Sequence, residues 1–183
     1  MEMFKGIRVA LGRSVLKKRL KKTRRNKKFN NLRNSHKIGI VWDGSNTSDF
    51  DGITEFYQEM LKQNIQVDII CYYPEKVLPD KYTAIRYLTC VKRNDLNYFY
   101  IPQSYDINEF INTPYEILID INANSFFPVE YISVLSRAEF KVGCNMSSYC
   151  DKMDMTINIS EGDDPEYYLK QVKHYLQMIN TGA

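Results

Sequence analysis

Short apolar runs of strand-like composition alternate with stretches of helical spacing from residue 36 onward, and that alternation narrows the fold more than any other feature. HKIGIVW (His36 to Trp42), IQVDIICYY (Ile65 to Tyr73) and YEILIDI (Tyr115 to Ile121) are the clearest strands, with EFKVGC and MTINIS after them. AIRYLTCV and LNYFYIP read as further strands. Ser48 or Asp49 can cap a helix reaching about Gln63, with Ile53, Phe56, Met60 and Leu61 turned inward. Asp106 can cap the short helix INEFIN, and Pro128 suits the first turn of a helix reaching Ala138, where its missing N–H has no partner to lose. A last helix follows Pro165 from Glu166 to about Ile179, with Tyr168, Leu169, Val172, Tyr175, Leu176 and Ile179 as its apolar face. Strands that alternate with helices predict a parallel sheet covered on both faces by right-handed crossovers. The expected fold is α/β: a three-layer Rossmann-like or flavodoxin-like, mostly parallel sheet of five to six strands, ordered 3-2-1-4-5 and preceded by a basic N-terminal helix.

Charge divides the chain in two. Residues 1–37 hold fourteen of the 25 lysines and arginines and one acid, Glu2, for a formal +13, whereas the remainder is formally −10. The expected organisation is a basic helical arm over residues 1–35 and an α/β domain over 36–180. Within the arm, Phe4, Ile7, Leu11 and Val15 recur at helical spacing, and Leu16 and Leu20 continue a neighbouring stripe. From Lys17 onward, charges surround the helix instead of lining one face, and such density repels itself unless something anionic neutralises it. Three readings follow. Lys17, Lys18, Arg19, Lys21, Lys22, Arg24, Arg25, Lys27 and Lys28 can contact the phosphates of a nucleic acid, RNA above all, because each contact releases counterions and needs no base recognition. Phe29 could add stacking. Alternatively, the apolar stripe with its flanking lysines suits an anionic membrane surface. In the third reading the helix covers an edge of the acidic domain and its charges are solvated.

Size and composition exclude several classes. The 183 residues suit a single domain with a real core. No apolar run approaches the roughly twenty residues of a membrane helix, and lysines follow VALG where a secretory cleavage site would come. The expected location is therefore cytoplasmic, or peripheral at the inner membrane if the arm binds lipid. Cys71 and Cys90 fall in strand-like runs as small hydrophobes, and the spacing of Cys144 and Cys150 is no zinc motif, so neither metal nor cofactor is expected. WDGSNTSDFDG contains neither a dinucleotide fingerprint nor a Walker motif.

In an open parallel sheet, ligands bind beyond the strand C-termini where the strand order reverses. The loop after the first strand supplies Asp43, Ser45 and Asn46; the loop after YEILIDI supplies Asp120, Asn122, Asn124 and Ser125; the loop after KVGC supplies Asn145. Adjacent strands one, four and five would gather these into a polar, amide-rich cleft. Asp43 and Asp120 are its only pair for acid/base or metal chemistry, and either can equally serve as a turn or cap residue. His36 enters the first strand from the wrong end and His174 lies on a surface-like stretch, so no serine here has an oriented base.

HKIGIVWD, KRNDLNYFYIP, FINTPYEILIDIN and PVEYISVLSRAEFKVG resemble a family of small, uncharacterised α/β proteins of Bacteroidetes whose members also begin with a basic helix. The resemblance is sharpest at Asn94 to Phe99, Leu118 to Asn122 and Ala138 to Gly143. Its members typically read KKDLNWFG, so this chain's Tyr100 stands where they carry glycine. The resemblance implies no activity. Glu116 to Gly143 is also similar to the N-terminal half of heptosyltransferase-like GT-B glycosyltransferases, which would put Asp120 at an acceptor cleft, but a chain of this length has no room for the donor-binding half.

Overall fold

A computed structural model describes residues 4–45, 47–83, 85–124, 126–160 and 165–179. Its strands are β1 (Lys37–Asp43), β2 (Gln66–Tyr73), β3 (Leu88–Lys92), β4 (Ile117–Asp120), β5 (Phe140–Cys144) and β6 (Met155–Ile157). They form one sheet in the order β3-β2-β1-β4-β5-β6, parallel throughout. The expected order thus stands, with the short β6 added beside β5. The helices are α1 (Lys5–Leu20), α2 (Phe50–Lys62), α3 (Tyr105–Asn112), α4 (Phe127–Leu135) and α5 (Pro165–Met178).

Strand periodicity of two sends alternate residues to opposite faces. Ile38, Ile40 and Trp42 of β1 join Val67, Ile69 and Cys71 of β2 against Ile53, Phe56 and Met60 of α2 and Leu169, Val172 and Leu176 of α5. Val41, Ile70 and Leu118 point the other way, against Ile107 and Phe110 of α3, Val129 and Ile132 of α4, and Leu16 of α1. The three layers are therefore α2–α5, sheet, and α1–α3–α4. α2 ends as helices commonly do, with Asn64 in the left-handed region at φ 60°.

Several local expectations are corrected. LNYFYIP is not a strand: Leu96 and Pro102 share a single antiparallel bridge around a tight loop. The Asn97 side chain organises that loop by accepting from the N–H groups of Phe99 and Ile101, an arrangement that competes with a ladder. Tyr100 adopts φ 60° there, a left-handed conformation most natural to glycine. The third strand begins only at Leu88 and the last stops at Ile157. Ser104, not Asp106, caps α3 by accepting from the Ile107 N–H at 3.2 Å, and Asp106 sits in the first turn, where the helix dipole favours it. Leu61 and Tyr175 are 42% and 44% exposed, since each lies at the rim of its helix's apolar stripe.

In α1 the stripe of helical spacing is not the face that packs on the body. Phe4, Ile7 and Leu11 are 58%, 60% and 48% exposed, whereas Gly12 and Leu16 are buried. The reason is close packing. A β-carbon at Gly12 would lie 2.4 Å from the Phe99 carbonyl oxygen and 2.6 Å from the Phe127 ring, so only the glycine face lets the helix approach this near. After α1 the chain wraps the N-terminal edge of the sheet. The Lys28 N–H bonds to Glu139 O, the Asn30 amide to Glu116 O and Glu139 Oε2, and the Asn31 amide to Ile179 O. Leu32 is then buried in the α2–α5 layer.

Gly12→Ala separates helix propensity from packing. Propensity alone would stabilise α1 by about 1 kcal/mol, but overpacking against a backbone carbonyl should cost about 1–3 kcal/mol. The expected result is a lower urea midpoint, and an unchanged or raised midpoint would refute the close-approach account.

Candidate functional site

The strand order reverses beside β1, whose neighbours are β2 and β4, so a ligand cleft would open between the C-termini of β1 and β4. Asn122 occupies that position. Its Oδ1 accepts from the Asp43 N–H, while its Nδ2 donates to Val41 O at 3.0 Å and to Asp120 Oδ1. The side chain stitches the two strand ends together and is itself buried. Asp120 is 1% exposed and faces the α4 layer, accepting from the Asn122 N–H at 3.0 Å and the Tyr149 hydroxyl at 2.9 Å. Burial pushes its carboxyl above the ordinary aspartate value, and the polar groups of Ser133, Asn122 and Tyr149 oppose that rise.

Asp43 lies at the surface end of β1 and accepts from the Ser45 N–H at 3.1 Å. Partial burial raises its carboxyl too, against the hydrogen bonding of Ser45. Ser45 and Asn124 are exposed. Asn145 is exposed as well, and its side chain accepts from the Ile159 N–H at 2.9 Å, holding the chain beyond β6. Asn46 and Ser125 lie outside the described residues. The described ones among the expected residues thus share one end of the sheet, but Asp120 and Asn122 form a closed network turned away from solvent. Among the described residues, no group of three His, Cys, Asp or Glu side chains is arranged to hold a metal.

Lys141 lies in the run EFKVGC, whose composition reads simply as a strand. Only 2% exposed, it donates from Nζ to Ser133 O and Val134 O at 2.8 Å each, capping the last turn of α4. Burial is the main force lowering its amine from the ordinary 10.5 to about 7, with repulsion from Arg25 adding to it and the nearby Asp154 opposing. A lone lysine in an apolar pattern gives one available signal: a buried ammonium needs carbonyl partners, and a helix C-terminus supplies them.

The arm's charges fall into two groups. Arg13 pairs with Glu130 at 3.0 Å, and Asp154 takes both Arg25 and, at 3.1 Å, Lys27. Arg19 bonds the Tyr131 hydroxyl, and Arg8 lies over the Tyr98 and Tyr100 rings at 4.2 and 4.8 Å. Lys17, Lys18, Lys21, Lys22, Arg24 and Lys28 are exposed and, among the described residues, have no carboxylate partner. Beside them a hollow of about 240 Å³ is lined by Arg19, Lys22 and Arg137 with Asn108, Asn112 and Tyr131, and no carboxylate contributes to its wall. The C-terminal ends of α1, α3 and α4 meet there, and the negative ends of their dipoles favour cations. This basic region lies at the strand N-termini, the end of the molecule opposite the sheet's switch point.

Residues 9–179 match the model of a family described as a family of unknown function, DUF6913, and the chain belongs to that family. No curated protein matches the chain.

Two substitutions test these assignments. Asn122→Ala strips partners from the Asp43 N–H, Val41 O and Asp120, and should cost at least about 2 kcal/mol in urea unfolding; a loss within error would show that the amide is not the tie between β1 and β4. For Lys141, the folded amine titrates below the unfolded one. Between about pH 7 and the ordinary lysine value the unfolded chain holds a proton that the folded one lacks, so stability rises with pH by up to about 1.4 kcal/mol per pH unit. Lys141→Met should remove that rise, measured as the difference between wild type and variant at about pH 7.5 and about pH 9. Parallel pH dependence in the two proteins would overturn the assignment.

Proposed function

We propose that this DUF6913 protein is a non-enzymatic binding or accessory protein whose basic N-terminal arm engages a polyanion, with RNA as the partner. One observation carries the reading: folding neutralises Arg13, Arg25 and Lys27 with the domain's own carboxylates but leaves Lys17, Lys18, Lys21, Lys22, Arg24 and Lys28 without a carboxylate among the described residues. They adjoin the acid-free hollow that Arg19, Lys22 and Arg137 line, so cations from the arm and the α4–β5 turn face one region. Such a surface binds phosphates through counterion release and reads no sequence by itself. Phe29 is 67% exposed beside Lys27 and Lys28 and offers one stacking surface.

A second reading rests on a different observation. Phe4, Ile7 and Leu11 form an exposed apolar strip on the same helix, with Lys18, Lys21 and Lys22 following, the pattern of a helix lying at an anionic lipid surface. No helix among the described residues is long and apolar enough to cross a membrane. An enzyme built at the strand C-termini, including one of glycosyltransferase type, has less behind it, because Asp120 is buried beneath Tyr149 and Asn122 fills the space between β1 and β4.

The test titrates a labelled single-stranded RNA, and separately phosphatidylserine vesicles, with wild type, a Lys17→Gln/Lys18→Gln/Lys21→Gln/Lys22→Gln variant and an Ile7→Asp/Leu11→Asp variant. RNA affinity should fall steeply with salt, and the slope should drop by roughly 0.7 for each lysine–phosphate pair that the glutamines abolish. The Ile7→Asp/Leu11→Asp variant should bind RNA normally. Unchanged RNA affinity in the lysine variant would sink the first reading, and vesicle binding lost only in the Ile7→Asp/Leu11→Asp variant would establish the second in its place.

A further inference from the structure

Cys71 and Cys90 are register partners on β2 and the edge strand β3, and their sulfurs lie 3.1 Å apart. Neighbouring strands run about 4.8 Å apart, within the roughly 4.4–6.8 Å that a disulfide needs between α-carbons. The two thiols have unequal surroundings. Cys71 is fully buried, under the β1 exit loop, where a β-carbon at Gly44 would sit 3.2 Å from its sulfur. Cys90 is partly exposed and lines an open groove of about 580 Å³ along the sheet edge, together with Leu88, Lys92 and Arg86. One thiol is therefore reachable by a small solute and the other is held behind it.

We propose that Cys71 and Cys90 form a peroxide-responsive dithiol, in which Cys90 meets the oxidant and Cys71 resolves it to a reversible disulfide. In the first step the Cys90 thiolate attacks one oxygen of hydrogen peroxide. The O–O bond breaks, the departing hydroxide takes up a proton to become water, and Cys90 becomes a sulfenic acid. In the second, the Cys71 sulfur attacks Cys90 Sγ, the S–O bond breaks, and the leaving hydroxide takes the Cys71 proton as a second water. Two thiols give up two electrons, and one peroxide is reduced to two waters.

The surroundings fit this division of labour. The Cys71 S–H bond to Cys90 lowers the Cys90 thiol below the ordinary cysteine range, with help from Lys92, against the opposing effect of burial. The same contact and deep burial push Cys71 up, so the accessible sulfur ionises first. Cys144 and Cys150 have no such arrangement: Cys144 is buried with its thiol 3.4 Å from Asn122 O, and neither is hydrogen-bonded to another cysteine among the described residues. The structure also contains a reporter. Trp42, the only tryptophan, is the register partner of Cys71 on β1 and packs 5.3 Å from Tyr82, whose hydroxyl bonds Gly44 O. A disulfide at this position would lie beside the indole and quench it.

The experiment exposes the full-length protein to hydrogen peroxide, alkylates the remaining thiols and maps the peptides without reduction. The expected result is a fall from four to two free thiols per chain, one Cys71–Cys90 cross-link, and quenched Trp42 emission that dithiothreitol restores. Cys71→Ser should trap Cys90 as a sulfenic acid that dimedone captures, and Cys90→Ser should give neither cross-link nor quenching, with circular dichroism confirming that both variants fold. Oxidation of Cys150 or Cys144 ahead of Cys90, or conversion of wild-type Cys90 to a sulfinic acid with no cross-link, would overturn the proposal.

Discussion

A parallel sheet must be covered on both faces, because its strands carry apolar side chains above and below and its backbone has no solvated side. On one face α2 and α5 suffice. On the other, α3 and α4 are only eight and nine residues long, and α1 completes the layer with Gly12 against Phe99 and Phe127 and Leu16 in the apolar cluster. The N-terminal segment is thus a wall of the domain and also its most basic surface. That double duty explains the pattern of its charges. Basic groups facing the body pair with Glu130 and Asp154, whereas Lys17, Lys18, Lys21, Lys22, Arg24 and Lys28 on the outer faces have no carboxylate partner among the described residues.

Helix direction sharpens the polarity of the molecule. Each crossover helix runs antiparallel to the strands, so helix C-termini gather at the strand N-terminal edge. Negative dipole ends then collect where the lysines and arginines are densest. Lys141 meets the same field from inside, donating to two carbonyls of α4. The opposite edge, where comparable sheets hold ligands, is drawn tight by Asn122 and by the bond between Asp120 and Tyr149. Among the described residues, the cations without a carboxylate partner and the fold's usual site of chemistry therefore lie at opposite ends.

Architecture and charge division were legible in the chain before any folding. Strand-like runs spaced by helical stretches dictate a parallel α/β sheet through period and length alone, and counting lysines needs no coordinates. Residues whose role depends on a distant partner were not legible. The Phe4–Ile7–Leu11 stripe has valid helical spacing, yet packing selected the Gly12 face because helix approach is limited by sterics that periodicity does not encode. LNYFYIP has strand composition, but the Asn97 side chain folds it into a loop. Asp120 and Asn122 fall at the expected end of the sheet, whereas Tyr149, whose hydroxyl helps close off the Asp120 carboxylate, is twenty-nine positions away in the chain. The cysteine pair was hidden for the same reason: Cys71 and Cys90 are nineteen residues apart, and only the register of β2 on β3, set by burial of both faces at once, brings their sulfurs together.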